Sequence, residues 1–167
     1  MEILEPFLDA AWASLRHAQD RTRARALLLR WATAWQGPAR RLTATSSNHG
    51  AYLHFDQRVG TVWSQVFSFH AAPNQGLSMR GPDPDRVRKS HKHRANKLDR
   101  NPLDALFEAW SAHGEAHPAN NAVEFFLVET SDETWEACLQ QALACLKVSR
   151  TASAGRAPVT HPAQREA

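Results

Sequence analysis

The chain is predicted to fold as an α+β protein: a single two-layer domain in which an antiparallel meander of about four to five strands is packed by N-terminal, middle and C-terminal helices. Three observations predict it. Apolar residues recur at three- and four-residue spacing toward both ends of the chain, which is the signature of helices with one buried face. Between Arg40 and Arg80 short β-branched and aromatic runs alternate with turn residues, the pattern of a meander. A hydrophobic content of 43%, with six Trp and seven Phe in 167 residues, supplies a core for one domain. The domain is expected to span residues 1–148, and the aperiodic Ala-, Pro-, Thr- and Arg-rich stretch 149–167 is expected to be a flexible tail.

Pro6 can open a helix whose apolar positions are Phe7, Leu8, Ala11, Trp12 and Leu15. Asp20 is placed to cap a second segment carrying Ala24, Leu27, Leu28, Trp31 and Trp35 inward, ending at Gly37 and Pro38. If the two were one bent helix, Arg16, Arg23 and Arg30 would form a basic line at seven-residue intervals. Strands are expected at Leu42–Thr45, Ala51–Phe55, Thr61–His70 and Leu77–Arg80, separated by Asn- and Gly-containing turns in which positive φ costs little. Strict alternation in the long strand would place Trp63, Gln65, Phe67 and Phe69 on one face, under the helices; the alternative is an exposed aromatic face that stacks bases.

Asp83 followed by Pro84 reads as the start of a helix, and Asn101 with Pro102 repeats the signal for a second one that buries Leu103, Leu106, Phe107 and Trp110. Ala122–Glu129 reads as an interior strand, apolar on both faces. Ser131 is expected to cap a final helix that carries Trp135, Cys138, Leu139, Ala142 and Leu146 inward.

The segment Asp83–Arg100 holds seven of the twenty Lys and Arg residues. Read as a helix, it sets Arg86, Lys89, His93, Lys97 and Arg100 within an arc of about 80°, with Lys92, Arg88 and Arg94 flanking and few acids four residues away to neutralise them. Net charge is only +3, but sixteen basic residues face five acidic ones between Arg16 and Arg100, and one faces eight between Asn101 and Val148. A nucleic-acid-binding accessory protein is the leading reading, with Arg86, Lys89, Lys92, His93, Lys97, Arg100, Arg23 and Arg30 as phosphate contacts on DNA or RNA. A non-enzymatic interaction or assembly factor, docking a protein through the acidic region 104–136, is the alternative. A metal-dependent hydrolase or nuclease built on His49, His54, His70, Asp56, Glu124 and Glu129 is the second alternative, but no spacing fixes their convergence, so no catalytic residue is assigned.

No cofactor is expected, since the seven glycines are scattered and form no phosphate-binding loop. No metal site is expected either. His113-Gly-Glu-Ala-His117 has a superficially zinc-like spacing, but Gly114 and Pro118 interrupt the helix that such a site needs. Cys138 and Cys145 lie seven apart, roughly 10 Å along a helix, too far for a disulfide. Two such thiols, an acidic N-terminus and the absence of any stretch near the roughly 20 apolar residues of a membrane span lead to a cytoplasmic protein with no membrane association as the expectation.

Overall fold

The computed structural model describes residues 3–59, 62–73, 75–83, 100–120 and 122–152. Two helices, α1 (Leu4–Ser14) and α2 (Ala18–Ala34), precede four strands, β1 (Arg40–Ser47), β2 (Gly50–Val59), β3 (Val62–Ala72) and β4 (Gly76–Gly81). Helix α3 (Arg100–Ser111), strands β5 (His117–Ala119) and β6 (Ala122–Phe126) and helix α4 (Asp132–Ala152) follow. All strands pair antiparallel in one sheet of order β1-β2-β3-β4-β6-β5. The α+β class is therefore as expected, and the sheet has six strands where four to five were expected. The additional strand is β5, three residues containing Pro118, too short for a period-two pattern to register and sited on an edge, where proline's missing donor is tolerated.

The helices lie on one face of the sheet, joined to it by an aromatic lattice. Trp31 of α2 meets Phe55, Phe67 and Phe69 edge-on at 5.3–6.1 Å between ring centroids, and meets Trp110 of α3 and Trp135 of α4 at 6.4 and 6.3 Å. Trp35 packs on Phe55 and Phe67, and its indole donates to the Asp56 carbonyl at 3.1 Å. These rings are fully buried, and edge-to-face pairs add to the area they remove from water.

The two N-terminal helices are separate. The chain is extended at Leu15 and again at His17, so Arg16 falls in the break and the continuous Arg16–Arg23–Arg30 line is not formed. Helix α2 begins at Ala18, with His17 at its N-cap and Asp20 in its first turn; Asp20 is therefore not the cap. Ser131 is the cap of α4, its hydroxyl accepting the Thr134 amide at 3.3 Å. The strand expected at Ala122–Glu129 ends at Phe126, where a turn closes through the Glu129 and Thr130 amides onto the Phe126 carbonyl.

The face assignment in β3 changes midway. Phe55 pairs with Phe67, but Asp56 pairs with Gln65, so Val66 is an extra residue in β3. Such a bulge reverses which side of the sheet the preceding residues occupy. Phe67 and Phe69 point to the helices as expected, while Trp63 and Gln65 lie on the opposite face with Asp56.

Candidate functional site

No described helix covers the second face of the sheet. Because directly opposed residues of paired strands share a face, the registers assign it Arg41, Thr43 and Thr45 of β1, Tyr52, His54, Asp56 and Arg58 of β2, and Trp63, Gln65 and His70 of β3. Ser78, Arg80, Glu124 and Phe126 continue it across β4 and β6. The same alternation that buries Leu53 and Phe55 thus displays polar and ring-bearing side chains on the other side.

Two ring arrangements stand out on that face. Tyr52 lies parallel to its cross-strand partner His70, 4.3 Å between centroids and 3° between planes, and parallel to His54 at 6.0 Å and 2°. All three side chains are half-buried. Their orientation is held at the edges: His54 Nε2 shares a hydrogen bond with the Thr45 hydroxyl at 2.9 Å, and His70 Nε2 lies 3.4 Å from the His49 carbonyl. Beside them the Arg41 guanidinium sits 4.5 Å from the Trp63 ring centre, a cation over an aromatic face. The buried Asp56 carboxylate orients Arg41 at 3.1 Å and also accepts from the Thr43 hydroxyl at 3.2 Å.

Arg58 and Arg80 are exposed on this face; Arg80 also donates to the Ala119 carbonyl at 3.0 Å. Its acids are engaged: Glu124 accepts from the Ser78 hydroxyl at 2.8 Å, and Glu129, at the rim, pairs with His117 at 2.8 Å. Strand β4, at the centre of the face, runs at its C-terminal end into the basic segment of the sequence.

The expected phosphate contacts fall in three places. Arg86, Lys89, Lys92, His93 and Lys97 lie outside the described residues. Arg100 is the first residue of α3. Arg23 and Arg30 are on α2 but turn toward α4: Arg23 donates to the Leu127 carbonyl at 2.6 Å, to the Thr130 carbonyl and to Asp132 at 2.8 Å, and Arg30 pairs with Glu136 at 2.7 Å. The Arg30 pairing holds the Glu136 carboxyl below its ordinary range, with Gln140 adding a second hydrogen bond. The bias between a basic first half and an acidic second half is thus partly consumed within the molecule.

The histidines and carboxylates considered for hydrolysis do not converge. Asp56, Glu124 and Glu129 each hold a different partner, and among the described residues no three His, Cys, Asp or Glu side chains are grouped to hold a metal ion. In the His113–His117 segment, His113 bonds Gln141, Glu115 bonds Ser131 and His117 bonds Glu129, three separate directions. Both cysteines are free, and burial pushes the Cys138 thiol up to about 12, which leaves it protonated and unreactive.

Compared with protein-family models, curated proteins and solved structures, the chain has no significant match. This face, which no described helix covers, was reachable only in part from sequence. An exposed aromatic face was one of two alternatives for the long strand, but the bulge at Val66, which exposes Trp63 and buries Phe67, leaves no mark in residue type.

Proposed function

We propose that the protein binds single-stranded nucleic acid, DNA or RNA, on the open face of its sheet, with the basic segment 86–100 adding phosphate contacts beside it. The observation that supports the reading is the set of parallel Tyr52, His54 and His70 rings next to the Arg41–Trp63 pair. Sheet faces that bind single strands use flat side chains as stacking surfaces and cations for the backbone, and stacking tolerates any base. Arg41, Arg58 and Arg80 supply cations on the face itself. The free thiols and the lack of any described helix long and apolar enough to cross a membrane accord with a cytoplasmic setting.

Fluorescence anisotropy with labelled single-stranded and duplex DNA and RNA, repeated across salt concentration, tests the proposal. Single strands are expected to bind more tightly than duplexes. Tyr52→Ala is expected to weaken binding by about tenfold or more, since one stacked base contributes roughly 1–3 kcal/mol. Lys89/Lys97/Arg100→Glu is expected to lower affinity and flatten the salt dependence, because fewer counterions are then released. Binding that Tyr52→Ala leaves unchanged would show that the open face is not the surface used.

A further inference from the structure

We propose that two copies of the chain pair through β1, extending the six-stranded sheet across a twofold axis at Ala44. The proposal rests on the edge of the sheet and not on its open face. Strand β1 ends the sheet order, and no described strand lies beyond it. The Arg58 amide donates to the Ala39 carbonyl at 2.7 Å. Hydrogen-bonded and non-bonded pairs alternate along an antiparallel ladder, and the register runs without interruption from Arg40↔Gln57 to Ser47↔Gly50. Arg41, Thr43, Thr45 and Ser47 therefore exchange hydrogen bonds with β2, and the amides and carbonyls of Leu42, Ala44 and Ser46 point away from it. The Arg40 amide, also outward, already donates to the Gly37 carbonyl at 3.1 Å.

The strand that carries this row is eight residues long and lacks several features that usually protect an edge: it has no proline, glycine or lysine and no bulge. Its charges are confined to Arg40 and Arg41 at one end, which decides in favour of a second copy as the occupant. In an antiparallel pairing centred on Ala44, Leu42 falls opposite Ser46 of the copy, Thr43 opposite Thr45 and Arg41 opposite Ser47. No arginine meets an arginine, and small hydroxyl side chains occupy the cross-strand positions. Ala44 through Ser47 are all exposed. Opposed residues share a face, so the axis is perpendicular to the sheet and both open faces lie on the same side, giving one continuous surface of twice the width.

Sedimentation equilibrium at high micromolar concentration is expected to give twice the chain mass. Ala44→Pro removes an outward amide while leaving the β1–β2 ladder intact, and it should weaken self-association by at least about tenfold with an unchanged far-UV spectrum. If that variant does not fold, Ala44→Lys, which sets like charges together at the axis, should give the same loss. Ala44→Cys should crosslink to a dimer on oxidation, because bonded cross-strand residues lie about 5.5 Å apart at Cα, within disulfide range. Ser46→Cys should not, since its two copies would be roughly 13 Å apart along the strands. A wild-type chain of monomer mass, even with peptide or nucleic acid present, or equal crosslinking by the two cysteine variants, would overturn the proposal.

Discussion

The two faces of the sheet carry similar numbers of rings and use them in opposite ways. On the helix side Phe55, Phe67, Phe69 and Phe125 meet Trp31, Trp35 and Trp110 edge-on and Trp135 at a tilt, all but excluded from water. On the other side Tyr52, His54, His70 and Trp63 remain partly exposed, held by edge hydrogen bonds and an arginine in place of a surrounding lattice. A ring that is enclosed contributes to stability through area and contacts, whereas a ring left half-open is worth less to the fold and is available to a ligand. The contrast teaches that aromatic content alone does not separate enclosed rings from partly exposed ones; the register of the paired strands, bulge included, does.

Trp31→Ala should produce the largest effect, about 3–5 kcal/mol of lost stability from the cavity it leaves among five aromatic neighbours. Thermal melting is the measurement, with a midpoint lowered by on the order of 10 °C. An intact midpoint would mean that the lattice is not the core of the domain. Arg23→Ala comes next: it strands the Leu127 and Thr130 carbonyls in a part-buried setting, a cost of about 1–3 kcal/mol. Arg30→Ala, which loses only a half-exposed, solvent-screened ion pair with Glu136, should cost clearly less. Equal losses in urea titrations of the two variants would contradict the distinction between a carbonyl clamp and a surface pair.

Tyr52→Ala sharpens the comparison from the open side. Its stability loss should stay near 1 kcal/mol or below, the scale of one cross-strand pair, while nucleic-acid affinity falls. A destabilisation matching that of Trp31→Ala would make the open face a second core. The smallest effect concerns pH. The Thr134 hydroxyl, followed by the Ser131 amide and hydroxyl, holds the Glu115 carboxyl below its ordinary value near 4.5, against a partial opposing effect of burial. A carboxyl with a depressed folded-state value contributes stability that is present above its unfolded value and lost as pH falls through the folded one. Glu115→Gln should therefore lower the melting midpoint slightly at neutral pH and flatten its decline below about pH 4.5. An unchanged slope would show that this helix cap is not a titrating support.

Much of the fold was legible in the residues. The three- and four-residue spacing of Phe7, Leu8, Ala11 and Leu15, or of Leu103, Leu106 and Trp110, records a buried helical face because a helix returns to the same side every 3.6 residues. Ser131 announced α4 because its hydroxyl is the right length to accept an amide of the first turn. Glycines and asparagines between β-branched runs marked the meander for the same kind of local reason.

What local chemistry could not specify was set by contacts between distant segments. The arginines of α2 carried no sign that Asp132 and Glu136, more than a hundred residues on, would meet Arg23 and Arg30. The bulge at Val66, the addition of β5 at the sheet edge and the separate exposure of Trp63 depend on how neighbouring strands register. Spacing along the chain determined which segments were helix or strand and which side each preferred to bury. Only tertiary pairing decided which cations are consumed in holding helices together and which rings are left facing outward, because register and charge pairing are properties of two strands or two helices together and of neither alone.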